Sequence, residues 1–301
     1  MQLIYQGKDI APSVDIRHAE IVDNAGGVAD SVELCFNDPQ DVWSQWKPQK
    51  DDQVQLKKDG FNSGVMYVDE LEQRRGVFIV RALSLPQEAK TERSQGWEQV
   101  RLLEIADELA SRYGLRLEHY GLTNHLYERV DQREQADFAF LASRCALEGY
   151  SLKITDGRVV IFSERDMEAA PSSLTIARED LDGEFTFWTR STGIYGAASV
   201  RYGTVGYEYR VGPGPTFRVN DLYVSDQATA ERFSRGLLRS KNKHEHTGFC
   251  TIRLAPGLAA GNIAAVTDMG MADGLYYCEQ VRHNLVADRT HLRLRRPLEG
   301  Y

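Results

Sequence analysis

The sequence predicts an α+β chain that is mainly β, with two β-barrel-like domains around a compact α+β domain. Three observations carry this. From residue 1 to about 90, apolar residues recur with period 2, in short runs cut by turn residues. Near Trp97 the apolar period becomes that of a helix, and after Phe162 it returns to that of a strand. The boundaries that follow are 1–90 for an N-terminal β-barrel-like domain, 91–168 for an α+β insertion domain, and 169–301 for a C-terminal β-barrel-like domain with a helix at about 227–241.

Leu3, Ile4 and Tyr5 begin a strand that Gly7, Lys8 and Asp9 turn. Val32, Leu34 and Phe36 alternate with polar partners until Asn37, Asp38 and Pro39 break the run. Val54 and Leu56 alternate again. Val65–Val68 and Val77–Val80 form a hairpin closed by Glu72–Gly76. Short strands between turn signals suggest a small barrel or sandwich. Pro86–Gly96 is polar and reads as a linker. Leu102, Ile105, Ala106, Leu109 and Tyr113 then fall at helical spacing, with Gly114 as the stop. Phe138, Leu141, Ala142 and Cys145 mark a second helix, stopped by Gly149. Tyr150–Thr155 and Arg158–Phe162 flank Asp156-Gly157, a two-residue turn whose residues tolerate positive φ. Further strands are expected at Glu184–Trp188, Ala197–Tyr202, Phe249–Leu254, Asn262–Val266, Tyr276–His283 and Thr290–Arg295. Asp226 is placed to cap the helix beginning at Gln227. Leu292 and Leu294 alternate with Arg293 and Arg295, so one face of the last strand should be wet.

A chain of 301 residues, 42% hydrophobic and 27% charged, can fill two or three cores, and its 14 Tyr, 11 Phe and 4 Trp argue against disorder. The net charge of −8 disfavours nucleic-acid binding, because an acidic surface repels phosphate; it would let DNA slide past. No run reaches the roughly 18 apolar residues of a membrane span, so no membrane anchor is expected. The start, MQLIYQGKDI, lacks the pattern of a signal peptide. Synthesis in the cytoplasm and reduced thiols at Cys35, Cys145, Cys250 and Cys278 follow, with a Cys250–Cys278 disulfide as the alternative.

Candidate chemistry is sparse. His244-Glu245-His246 is the most metal-like cluster, but no third ligand is signalled and a solvated helix end explains it. Asp69-Glu70 and Glu179-Asp180 are adjacent carboxylates that a strand would point to opposite faces, unsuited to paired acid and base work. Cys145 sits at an apolar helical position and reads as core. Phe185, Phe187 and Trp188 fit a core or interface strand better than a sugar platform. Arg239, Lys241, Lys243 and His244 form a short basic run at a helix end, where cations are favoured whether or not DNA is near. The Gly212–Pro215 loop lacks the Lys and the helix of a phosphate cradle, and no nucleophile elbow, P-loop, dinucleotide fingerprint or zinc-protease motif occurs. No catalytic, cofactor-binding or metal residue is assigned, and no cofactor is expected.

Three stretches together resemble the late control D family, the baseplate hub proteins of phage tails and tail-like particles. The first is Asp41, Trp43, Trp46 and Pro48, then Asp51-Asp52, then Gly64, Tyr67 and Asp69. The second runs from Trp97 through Tyr113-Gly114-Leu115 and Ala136–Ala142 to Glu148-Gly149-Tyr150 and the Asp156-Gly157 hairpin. The third takes in Ala228–Arg239, Thr247-Gly248, Pro256-Gly257, Gly261-Asn262, Asp273-Gly274, His283 and Thr290–Leu294. These are packing and turn residues, and the pattern contains no catalytic one.

The resemblance implies two tube-like β-barrels per chain joined by a smaller α+β domain. It implies a homotrimer whose six barrels match a hexameric tail tube on one side and a trimeric spike on the other. The function implied is a non-enzymatic structural hub that joins tail tube to central spike and lines the channel. Its partners would be the tail tube protein, the central spike protein, and tape-measure and baseplate wedge proteins, with DNA as transiting cargo. Assembly in the bacterial host cytoplasm and residence in the virion tail baseplate, or in a bacteriocin or injection particle, follow from it. The chain stops at Tyr301 soon after its last strand, so the spike is expected as a separate chain. The alternative is a tail-associated protein that binds or hydrolyses peptidoglycan.

Overall fold

The computed structural model describes residues 1–301. Its largest feature is one 14-stranded sheet drawn from both ends of the chain. The joint lies between Asp15–Asn24 and Gly274–Asn284, antiparallel with Arg282 opposite Val22. On the N-terminal side, Asp15–Asn24 is followed by Ser31–Asn37, Val77–Leu83, Met66–Arg74, Gln53–Lys58, Gln2–Tyr5 and the edge at Lys8–Asp9. On the C-terminal side, Gly274–Asn284 is followed by Arg289–Arg295, His246–Arg253 and the edge at Thr186–Thr189. The chain is mainly β with few helices, as expected. The two expected barrels are corrected: the strands do not close on themselves, because each terminal set gives one strand to the shared joint, and edges stay open at Lys8–Asp9, Thr186–Thr189 and Leu174–Ile176.

Helix α1 (Val42–Trp46) is started by the Asp38 carboxylate, which accepts from Val42 N and Trp43 N at 2.7 and 3.2 Å. It drives Trp43 into an aromatic group with Tyr5, Phe36, Trp46 and Phe78, the last stacked at 5.2 Å. The first core forms there, with Leu3, Leu34, Leu56 and Val80 fully buried. A second core lies under the C-terminal strands, built from Ile252, Ile263, Tyr276, Tyr277, Val281 and Leu292.

The middle segment makes a third core. Helix α2 (Leu102–Arg112) buries Leu102, Ile105, Ala106 and Leu109, the positions its periodicity predicts. Gly114 at φ 67° closes it, with Leu115 N donating to Ala110 O. Helix α3 (Asp137–Leu147) buries Phe138, Phe140, Leu141 and Cys145. The Tyr150–Thr155 and Arg158–Ser163 hairpin turns through Asp156 and Gly157, both at positive φ. Arg116–Tyr120 pairs parallel to its second strand.

The second half of the expected linker is a strand. Glu92–Arg101 pairs with Leu126–Ala136 in a two-stranded ribbon, after one 3-10 turn at Gln87–Lys90. Only Trp97, Val100, Tyr127 and Val130 give it an apolar face, and most other inward positions are polar, so no clear period marked it. Two later helices tie the segments together. Helix α4 (Glu164–Glu168) follows the hairpin directly. Helix α5 (Gln227–Asn242) is capped by Asp226, which accepts from Thr229 N at 2.8 Å. It packs on α3 and on a small sheet of Ala197–Tyr202, Val205–Arg210 and Thr216–Val219. Val200, Val224, Ala230 and Phe233 therefore share the middle core.

Candidate functional site

The segments meet at a buried ionic junction. Arg295, on the last strand and fully buried, reaches Glu168 and Glu164 on α4 and Glu279 Oε2 at 2.8 Å. Arg239 of α5 lies 2.5 Å from Glu168 and 3.6 Å from Glu164. Lys243 lies 3.1 Å from Glu164 and 3.7 Å from Glu279, and His244 Nε2 lies 3.0 Å from Glu279. Three carboxylates thus face three permanent cations, taken from α4, α5 and the C-terminal strands. Burial alone would raise the acids. The His244 hydrogen bond and the charges of Lys243 and Arg295 instead hold Glu279 down to about 2, and Lys243 and Arg295 hold Glu164 below its usual range. Arg295 also lies 4.2 Å over the Tyr277 ring. A cavity of about 180 Å³ adjoins the junction, lined by Gly26, Ser151, Glu164, Gly236, Arg239 and Lys243.

The N-terminal sheet docks on the same region. Lys153 of the hairpin pairs with Asp23, and Ser151 Oγ donates to Glu164 at 2.5 Å. Gly26 and Gly64 let the two backbones touch: a Cβ on Gly26 would lie 2.9 Å from Ser151 Cβ, and one on Gly64, at φ 69°, 2.7 Å from Asp156 Cα.

Asp30 is buried beside this contact and accepts from Asn24 N at 2.9 Å. Burial, and then the charge of Asp23, push its carboxyl from 3.8 up to about 7, against the pull of Lys153. The folded protein therefore favours protonated Asp30. That contribution is complete below about pH 3.8 and is lost as pH rises through about 7, a swing of up to about 4 kcal/mol. Asp30→Asn keeps the acceptor and removes the charge. It should raise stability by about 2 kcal/mol at pH 8 and leave it nearly unchanged at pH 4. Urea unfolding at the two pH values checks this, and an equal effect at both would contradict it.

The residues singled out from sequence go to separate places. His246 stacks on Phe187 and shares a hydrogen bond with Thr189, while His244 turns to Glu279. No group of three or more His, Cys, Asp or Glu is arranged around a metal position. Asp69 is held by Lys90 and Gln87, which lower its pKa against burial, and Glu70 lies 3.1 Å from Arg81. Asp180 accepts from Ala177 N, and Glu179 lines an open groove of about 1100 Å³ with Asp180 and Asp182. Cys145 is core, its thiol pushed up to about 12 by burial. All four cysteines are free, Cys250 and Cys278 included. Phe187 packs inward against Tyr276, while Trp188 is exposed on the edge strand against Phe249.

Two readings of charge are corrected. The basic run at the end of α5 is not a surface patch: Arg239 and Lys243 are drawn into the junction, and Lys241 lies 4.6 Å over Phe217. Arg295 is not on a wet face, because α4 covers that end of the sheet; Arg293 remains exposed.

No family model matches the sequence, and no curated protein does. Solved structures do. The 43 kDa tail protein of prophage MuSo2 from Shewanella oneidensis superposes with a TM-score of 0.76 at 12% identity, covering 98% of each chain. A tail protein from Neisseria meningitidis MC58 gives 0.76 at 13%, covering 99% of this chain and 96% of the other. The chain has the fold of phage tail proteins. The same fold extends to the E. coli c3393 protein, a component of the type VI secretion system with structural similarity to T4 tail proteins gp27 and gp5. That match has a TM-score of 0.63 at 11% identity, over 100% of this chain and 78% of the other. The tail-protein fold here spans the whole chain, so the shared sheet and the middle segment belong to one architecture.

Proposed function

We propose that the chain is a structural, non-enzymatic hub subunit of a phage tail or tail-like particle, joining the tail tube to a central spike. The observation that carries this is the whole-length match in fold to tail proteins. In this reading a homotrimer presents two related β-surfaces per chain. Tube subunits meet one side of the ring and the spike the other, with tape-measure and wedge proteins around it and DNA passing through. The open edges at Thr186–Thr189 and Lys8–Asp9 support the reading, since unpaired strand edges are templates for pairing with another chain. The junction would keep the strand sets in fixed register while contacts form on both sides. The particle is the site of residence, after assembly in the host cytoplasm.

Deleting the gene and imaging lysates by negative-stain microscopy tests the role. Loss of complete tails, restored by the gene in trans, is expected. Complete tails that lack only cell-wall-degrading activity would instead favour a peptidoglycan-directed role.

A further inference from the structure

The loop Ala25–Asp30 joins two strands of the shared sheet, Asp15–Asn24 and Ser31–Asn37. It lies against Tyr150–Thr155, the edge strand of the three-stranded sheet in the middle segment. Few contacts hold it there. Gly27 N donates to Leu152 O at 3.0 Å, Gly26 leaves room for Ser151, and Lys153 pairs with Asp23. Around these contacts the packing is open. Gly26 and Gly27 line the cavity of about 180 Å³ beside the ionic junction. Gly27, Val28 and Ala29 line a second cavity of about 270 Å³, which is apolar and shared with Leu85, Phe138 and Leu152. Val28 is 67% exposed although that cavity lies beside it. Protein interiors normally fill such space, and Gly27, at φ 79°, gives the backbone freedom to move.

The loop also ends on a charge that its surroundings do not balance. Asp30 is buried, and Asp23 and Lys153 are nearly so beside it. The charged groups that face Asp30 are Asp23 from its own strand pair and Lys153 from the hairpin. The other polar neighbours are neutral. Asn24 N donates to the Asp30 carboxylate, Thr155 bonds to it from the hairpin, and Ser84 N donates to the Asp30 backbone oxygen. Two carboxylates therefore share one cation, and that cation is already paired with Asp23. A buried negative charge without a partner of its own is unfavourable. A proton on Asp30 removes it, and so does opening the loop to water.

We propose that Ala25–Asp30 is a proton-operated latch between the sheet and the middle segment, closed while Asp30 is protonated and released locally when it ionises. The movement is small. The loop swings about its two glycines, the hydrogen bond from Gly27 to Leu152 breaks, and water reaches Asp30, while the strands on either side stay paired. Burial, and then the charge of Asp23, oppose ionisation in the closed loop, and Lys153 only partly offsets them. Closure is therefore favoured at low pH and is lost as pH rises through about 7. The latch does not depend on the hub reading. In a hub it would let the middle segment shift on the sheet while the ionic junction holds.

The test is hydrogen–deuterium exchange of the purified full chain at about pH 5 and about pH 8, corrected for the pH dependence of exchange itself. Mass spectrometry reads a peptide spanning Ala25–Asp30, in which the Gly27 amide faces Leu152. Its protection should fall at least about tenfold from the lower pH to the higher. Asp30→Asn keeps the acceptor without the charge and should hold protection within about twofold across the same range. Helix α2 packs on other elements of the middle segment, so its amides are the reference and should not change. Equal loop protection at both pH values in the natural chain would overturn the inference. So would a fall that persists in Asp30→Asn, or one that α2 shares, which marks unfolding of the whole chain. None of these outcomes bears on tail assembly, so failure here and failure of the hub reading are distinguishable.

Discussion

Replacing Arg295 by Met should destabilise the protein by about 3–5 kcal/mol, the cost of leaving buried carboxylates without their cation. Arg295 is fully buried and touches Glu164, Glu168 and Glu279, so its loss leaves three acids to Arg239 and Lys243. Met keeps the apolar stem and removes the guanidinium, so the loss is chiefly that of the cation and its hydrogen bonds. The second variant Arg295→Met/Glu168→Gln restores the charge balance and should recover about half of the loss. Urea unfolding at neutral pH measures both. A single-variant loss below about 1 kcal/mol would mean that the junction does not hold the segments together.

Gly236→Ala should cost about 3 kcal/mol, although Ala is the better helix former by about 1 kcal/mol. A methyl at this position would lie 2.6 Å from the carbonyl carbon of Leu147 and 2.7 Å from the carbonyl oxygen of Ala146, and closer still to Leu147 O. These are backbone atoms of α3, which cannot swing aside as a side chain can. The two helices would have to part, opening the core around Phe233 and Leu141. A stabilised variant in thermal melts would show that α3 and α5 do not pack this closely in solution.

The parts of the fold that were legible are those whose chemistry is local. The apolar face of α2 is written as Leu102, Ile105, Ala106 and Leu109, and Asp156-Gly157 fixes a turn by its own backbone preference. The ribbon of Glu92–Arg101 and Leu126–Ala136 was not legible, because its inward face is marked only by Trp97, Val100, Tyr127 and Val130, with polar residues such as Arg93, Gln95 and Gln132 at the other inward positions. The open sheet was not legible either. Its joint pairs Glu20 with Asn284, and no local pattern reports a partner that far along the chain.

The same limit applies to charge. Arg239 and Lys243 read as a basic run because they are near in sequence, yet the helix turns them into a cluster of acids. Arg253, Arg282, Arg289 and Arg293 are scattered in sequence, and only the strand register brings them to one face. The alternation of Arg293 with Leu292 and Leu294 did signal a wet strand face. It failed at Arg295, where α4 packs over the sheet. Residues outside a strand decide which of its polar side chains reach water.

The measurement that tests the central claim most directly is cryo-electron microscopy of the purified particle, with density fitted to this chain. The hub reading predicts three copies in a ring at the junction of tube and spike, their strand edges paired with neighbouring chains. Density for this chain absent from that junction, or found only at the particle's outer fibres or on cell-wall fragments, would contradict it.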